Sequence, residues 1–150
     1  MRGYSVNGPS ESGTANKTAA VVTATTAVRP RLFEFTVGIT TAPNSTDQQM
    51  NFAVGRVTTT GTAASNPTPL SLDPGDVAAV STAGITHSAE PTYASTFLIE
   101  NAMNQRAAFR WVAAPGYEFV VPATAANGVA AKNVAITAAA VMKATLMWFE

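Results

Sequence analysis

Few side chains in this sequence are of types that could do covalent chemistry, and their spacing decides what each could do. His87 is the single histidine, with Glu90 the nearest acid along the chain. A histidine could serve a serine nucleophile as general base, but no Gly-x-Ser-x-Gly elbow occurs, and an ordinary loop residue in Ile85-Thr86-His87-Ser88 is the plainer reading. Asp73-Pro74-Gly75-Asp76 sets two carboxylates three residues apart. Calcium needs six to eight oxygen ligands, so a Pro-Gly turn in which Asp73 caps nearby amides is favoured there. Six Glu and three Asp include no pair that spacing singles out for glycoside hydrolysis. Asn16-Lys17-Thr18 and Asn44-Ser45-Thr46 match the glycosylation pattern, but Met1-Arg2-Gly3-Tyr4-Ser5-Val6-Asn7-Gly8 lacks the apolar stretch of an export signal. Scattered single glycines set up no phosphate-binding loop, and without cysteine there is no disulfide or thiolate metal site. The expectation is a chain without cofactor, metal or catalytic group, and not an enzyme.

Composition points toward surfaces instead. Nine basic and nine acidic residues balance, which argues against direct nucleic-acid binding, and no apolar run is long enough to span a bilayer. Charged residues make up 12% of the 150, against about 25% in ordinary soluble domains. Thr, Ala, Ser and Asn stand where Lys and Glu would normally keep a free monomer apart from its neighbours. A surface covered by partners accounts for this better than one that is merely neutral. Six of the nine basic residues are arginine (Arg2, Arg29, Arg31, Arg56, Arg106, Arg110), the cation favoured in interfacial ion pairs, although a solvated strand face accounts for them equally well.

The elements that would position such surfaces are strands. Residues 1–17 are rich in Gly, Ser, Asn and Thr and read as a flexible or extended N-terminal arm, with Tyr4 and Val6 its only anchors. The domain proper is expected over residues 18–150. Thr18 to Thr25 is rich in small and β-branched residues. In Arg31 to Thr40, Phe33, Phe35, Val37 and Ile39 alternate with Glu34, Thr36 and Thr40, the period of a half-buried strand. Further strands are expected over 51–59, 92–100, 107–112 and 117–121, with one or two over 133–149. Residues 61–84, with Pro67, Pro69 and Pro74, read as a long loop of the kind that serves function or assembly. Ala135 to Lys143 suits a helix by propensity but lacks a helical stripe, so strand is preferred. Seven or eight strands with Pro and Gly turns predict an all-β antiparallel sandwich of jelly-roll type.

Several segments together resemble small virion proteins of tailed bacteriophages, the capsid decoration or cement proteins. They are Val54-Gly55-Arg56-Val57-Thr58-Thr59, Leu70-Ser71-Leu72-Asp73-Pro74-Gly75-Asp76, Glu90-Pro91-Thr92, Thr96-Phe97-Leu98-Ile99-Glu100, Phe109-Arg110-Trp111 and Met147-Trp148-Phe149-Glu150. The resemblance spans residues 18–150; the polar N-terminus and the Ala-rich C-terminal part depart from it. It implies a β-sandwich that sits as a homotrimer on the outer surface of the capsid and binds the major capsid protein across capsomers. The expected contact residues are Tyr4 and Val6 of the arm, Pro69, Leu72, Asp73 and Asp76 of the loop, and the aromatics Trp111, Trp148 and Phe149. Two rival expectations stand beside it: a host- or carbohydrate-binding sandwich of a phage fibre, tail or neck, and, less favoured, a small hydrolase on the same fold.

Overall fold

The computed structural model of the chain describes residues 1–8, 15–136 and 140–150. Twelve strands occur among them: β1 (Gly3–Asn7), β2 (Thr18–Thr23), β3 (Arg31–Ile39), β4 (Gln49–Thr59), β5 (Thr62–Ser65), β6 (Leu70–Ser71), β7 (Thr82–Ala89), β8 (Thr92–Asn104), β9 (Phe109–Val112), β10 (Phe119–Val120), β11 (Gly128–Ala135) and β12 (Met142–Phe149). They form two antiparallel sheets. The first runs β10-β3-β12-β1-β6, with β9 beside β10 on the same edge of β3; the second runs β5-β7-β2-β11-β4-β8.

Removing the added edge strands leaves β9-β3-β12-β1 in one sheet and β2-β11-β4-β8 in the other. Successive strands β1 to β4 alternate between sheets, β8 and β9 return on the far side, and β11 and β12 fill the centres. That is the strand order of a jelly roll, as the turn-punctuated strand pattern predicts. The long segment between β4 and β8 is an insertion into this frame. It supplies β6 to the free edge of β1 and β7 with β5 to the free edge of β2, so one insertion closes both sheets on the same side.

The inner faces follow period two. Met50, Phe52 and Val54 of β4 meet Leu32, Phe35 and Val37 of β3, with Met142, Ala144, Leu146 and Trp148 of β12 between β3 and β1; all are buried in one cluster. Phe35 touches Phe52 edge-on at a centroid distance of 6.0 Å. A second, smaller cluster (Val21, Val57, Ala130 and Tyr93) lies apart from it. There the Tyr93 and Phe97 rings pack so closely over Gly55 that a Cβ at that position would come within 2.9 Å of each.

The structure corrects the sequence reading at three places. First, the N-terminal arm is not outside the domain. Gly3–Asn7 pairs residue for residue with Thr145–Phe149, and Tyr4 and Val6 are core side chains; residues 9–14 of that arm lie outside the described residues. A polar five-residue strand carries little propensity of its own, but the open edge of β12 supplies its hydrogen bonds. Second, Phe33 does not share a face with Phe35. The β3–β12 register steps from Glu34↔Met147 to Leu32↔Trp148, so Phe33 is a bulged extra residue. The bulge turns Leu32 inward and leaves Phe33 stacked on Phe149 at 4.1 Å on the opposite face from Trp148. Third, residues 61–84 are not one loop, and His87 lies on strand β7 rather than in a loop. Of the segment that left helix and strand in competition, residues 137–139 lie outside the described residues, and β11 and β12 approach it from either side.

If β1 is a structural strand, Tyr4→Ala removes a fully buried aromatic and should cost about 3–5 kcal/mol. Chemical denaturation measures this; a loss under about 1 kcal/mol would return residues 1–8 to the status of a dispensable arm.

Candidate interaction surface

The insertion between β4 and β8 contains a stretch, residues 66–81, that is held to the first sheet by polar contacts at several points. The Leu72 amide donates to the Gly3 carbonyl at 2.8 Å, continuing the β1–β6 pairing. The Tyr4 hydroxyl, reaching out of the core, donates to the Val77 carbonyl at 2.9 Å. Arg2 and Asp76 form an ion pair at 3.6 Å. The Asp73 side chain accepts from the Gly75 amide at 2.8 Å, and the Asp76 amide donates to the Asp73 carbonyl at 3.0 Å. The Asp73–Asp76 motif is therefore a self-capped turn, as its composition suggests.

The strongest anchor is Glu150. Its carboxylate accepts from the amides of Val80 and Ser81, both at 2.9 Å, and from the Ser81 hydroxyl. The Trp148 indole N–H donates to Ser81 Oγ at 2.9 Å and lies 3.3 Å from Glu150 Oε1. Burial alone would raise the Glu150 carboxyl. The donors on Ser81, Val80 and Trp148 outweigh it and hold the group below the ordinary carboxylate range.

This anchored segment displays four large apolar side chains. Leu70 is 64% exposed, Leu72 49%, Val77 56% and Val80 48%. They account for four of the seven large hydrophobic side chains exposed among the described residues. Leu72 lies across β1 where Gly3 leaves room: a Cβ on Gly3 would sit 2.8 Å from Leu72 Cδ1. Gly3 is the register partner of Phe149, which stacks on Phe33, so the apolar surface continues from the insertion onto the outer face of the first sheet. A cleft of about 240 Å³ lies beside it, lined by Asn66, Pro67, Pro69, Ala79, Ser81 and Thr82.

The residues expected to make contacts thus divide. Pro69, Leu72, Asp73, Asp76 and Phe149 gather at this end of the first sheet. Tyr4 and Trp148 lie directly beneath, their rings 6.1 Å apart in the core, and act through their polar tips as anchors rather than as contact surface. Val6 is buried, because its position in β1 faces the opposite sheet. Trp111 lies on β9, across the sheet, with its face covered by Phe119 in a 4.4 Å stack. Sequence reasoning missed Leu70, Val77, Val80 and Glu150 as individual residues. Large aliphatic side chains in a Pro-, Ser- and Asp-rich segment were the available signal for the first three; nothing local announces Glu150.

Elsewhere, His87 is buried beside Thr18 on β2, next to Thr86, whose φ of 54° is rare for a β-branched residue. Among the described residues neither ring nitrogen makes a hydrogen bond of ordinary geometry. Burial, with a smaller contribution from Lys17, lowers its pKa, and Glu90 and the Thr18 backbone only partly oppose this. Glu90 itself is engaged by the Thr18 amide at 2.9 Å and by Lys17 Nζ at 3.1 Å, so it does not orient the imidazole as a general base would require. Among the described residues no three His, Asp or Glu side chains are grouped to hold a metal. Among these residues no helix is long and apolar enough to cross a membrane.

No family model, curated protein or solved structure matches this chain. The class that fold and surface define is a jelly-roll sandwich with an edge-closing insertion that carries four exposed large apolar side chains.

Two titrations should shape stability. His87 is held neutral when folded, so stability should fall as pH drops below about 6.5, where the unfolded histidine gains its proton first. Glu150 is held ionised, so a second loss should follow as pH falls through about 4.3. Denaturation across pH checks both: His87→Leu should flatten the first slope and Glu150→Gln the second, the latter at a cost of about 1–2 kcal/mol near neutrality. Slopes unchanged in the variants would contradict the assignments.

Proposed function

We propose that this chain is a structural virion protein, a capsid decoration or cement protein of tailed-bacteriophage type, and not an enzyme. In this proposal it sits as a homotrimer on the outer surface of the capsid and binds the major capsid protein across capsomer boundaries. The observation that carries the reading is the exposure of Leu70, Leu72, Val77 and Val80 along one anchored segment. These are large apolar side chains held out to solvent by a segment that is itself fixed through Glu150, Tyr4 and Gly3. A mobile loop would lose entropy on docking; a segment already ordered loses little, so most of the buried apolar area is available to binding. Exposed apolar surface bordered by polar residues is the usual material of a protein interaction site. The low charge of the chain and the order of its virion-like segments support the same assignment.

Cementing follows from mass action. Only the assembled lattice offers both sides of a capsomer boundary, so binding stabilises the assembled form over its parts. Each copy adds buried area where the shell would otherwise part.

The test is co-sedimentation with shells of the cognate major capsid protein, followed by heating of the loaded shells. Wild type should bind and raise the disruption temperature. Leu70→Asp with Val80→Asp should reduce binding at least tenfold while leaving the protein's own unfolding temperature within a few degrees, since both side chains are exposed. Wild type that does not co-sediment, or a double variant that binds as well, would overturn the proposal.

A further inference from the structure

We infer that β8 is a self-association edge: two copies pair through it, antiparallel about a two-fold axis, and join their second sheets into one. The inference rests on the sheet edges alone, does not depend on the capsid role, and describes a two-fold contact separate from the three-fold contact of the proposed trimer.

The sheets expose four edges among the described residues, and three are blunted. β6 has two residues and is flanked by Pro69, β5 has four, and the tandem β9 and β10 have four and two, with Pro122 after the second. Short edge strands and proline are the ordinary protection against unwanted pairing. β8 has thirteen residues, and Pro91 before its first residue is the one proline near it. It contains no Pro, Lys or Arg, and its one charge is Glu100. Phe97, Leu98 and Ile99 stand in sequence along it, each only partly buried. Such an edge is a template for another strand.

Its geometry limits where the partner can lie. All three register shifts against β4 fall in the N-terminal part, where β8 bends and lays Tyr93 and Phe97 over Gly55. From Ile99 to Asn104 the register with Gln49–Val54 is unbroken, so this is the straight edge available for pairing. Residues directly opposite each other in a sheet share a face, so a dyad normal to the sheet must pass through a residue rather than between two. An axis at Ala102 sets Glu100 opposite Asn104 of the second copy; an axis at Asn101 sets it opposite Ala102. Either avoids facing the two glutamates, and no other charge lies on the strand. The occupant is a second copy because a dyad at Ala102 or Asn101 sets Glu100 against an uncharged residue and opposes no like charges, so the Ile99–Asn104 edge is complementary to itself, and an isologous contact closes at two.

The chain has no cysteine, so introduced thiols report cleanly. Ala102→Cys tests the axis at Ala102, where opposing Cα atoms would lie about 5 Å apart, within disulfide reach. Glu100→Cys with Ala102→Cys tests the axis at Asn101. Under mild oxidation one of these should give a dimer band on a non-reducing gel at least tenfold stronger than Ala114→Cys, an exposed control on a turn. Ala102→Lys, which brings two cations together near the axis, should lower the concentration-dependent mass seen by light scattering in wild type, with an unchanged circular dichroism spectrum. No excess crosslink in either β8 variant, or a wild-type mass that Ala102→Lys leaves unaltered, would overturn the inference.

Discussion

The Glu150 carboxylate does more than any other single group to fix the surface on which the functional proposal stands. It binds the amides of Val80 and Ser81 and shares the Ser81 hydroxyl with the Trp148 indole, so the end of β12 and the end of the 66–81 stretch are tied together. Trp148 is fully buried and lies against Tyr4, whose hydroxyl holds Val77. Core packing thus reaches the surface through two polar tips. Without them, Val77 and Val80 would sit on a tether, and the entropy of ordering that tether would count against any contact they made.

The jelly-roll frame explains why the insertion lies where it does. In the eight-strand frame β1 and β2 would each be a free edge on the same side. The chain between β4 and β8 returns to that side and pairs with both. Closing the edges and presenting an apolar face are therefore accomplished by one segment. The opposite side keeps β8 open, which is the basis for expecting strand pairing there. The fold by itself assigns no activity, since jelly rolls serve many functions. The surfaces carry the argument.

Much of the fold could be read from the sequence because period-two burial leaves a local trace. The strands around Phe35, Phe52, Phe97 and Trp111 were legible in this way, as was the sandwich class. Three features were not, each for a physical reason. β1 has only Tyr4 and Val6 in a polar stretch, and its stability comes from β12, nearly the whole chain away. The bulge at Phe33 shifts a face without altering composition, so simple alternation assigned Phe33 inward and Leu32 outward. The left-handed Thr86 beside buried His87 defied local propensity. In the candidate surface, Pro69, Leu72, Asp73 and Asp76 were visible through turn chemistry. Glu150 was not, because its partners lie about seventy positions away.

The central claim is that residues 66–81 are ordered in the free protein. Amide hydrogen exchange tests it most directly. The amides of Leu72, Val80 and Ser81 should exchange at least a hundredfold more slowly than an unstructured chain, and Glu150→Gln should release Val80 and Ser81 while leaving the β3 and β12 amides protected. Exchange of these three amides at unstructured rates in the wild-type protein would contradict the account, because the apolar surface would then be a mobile loop.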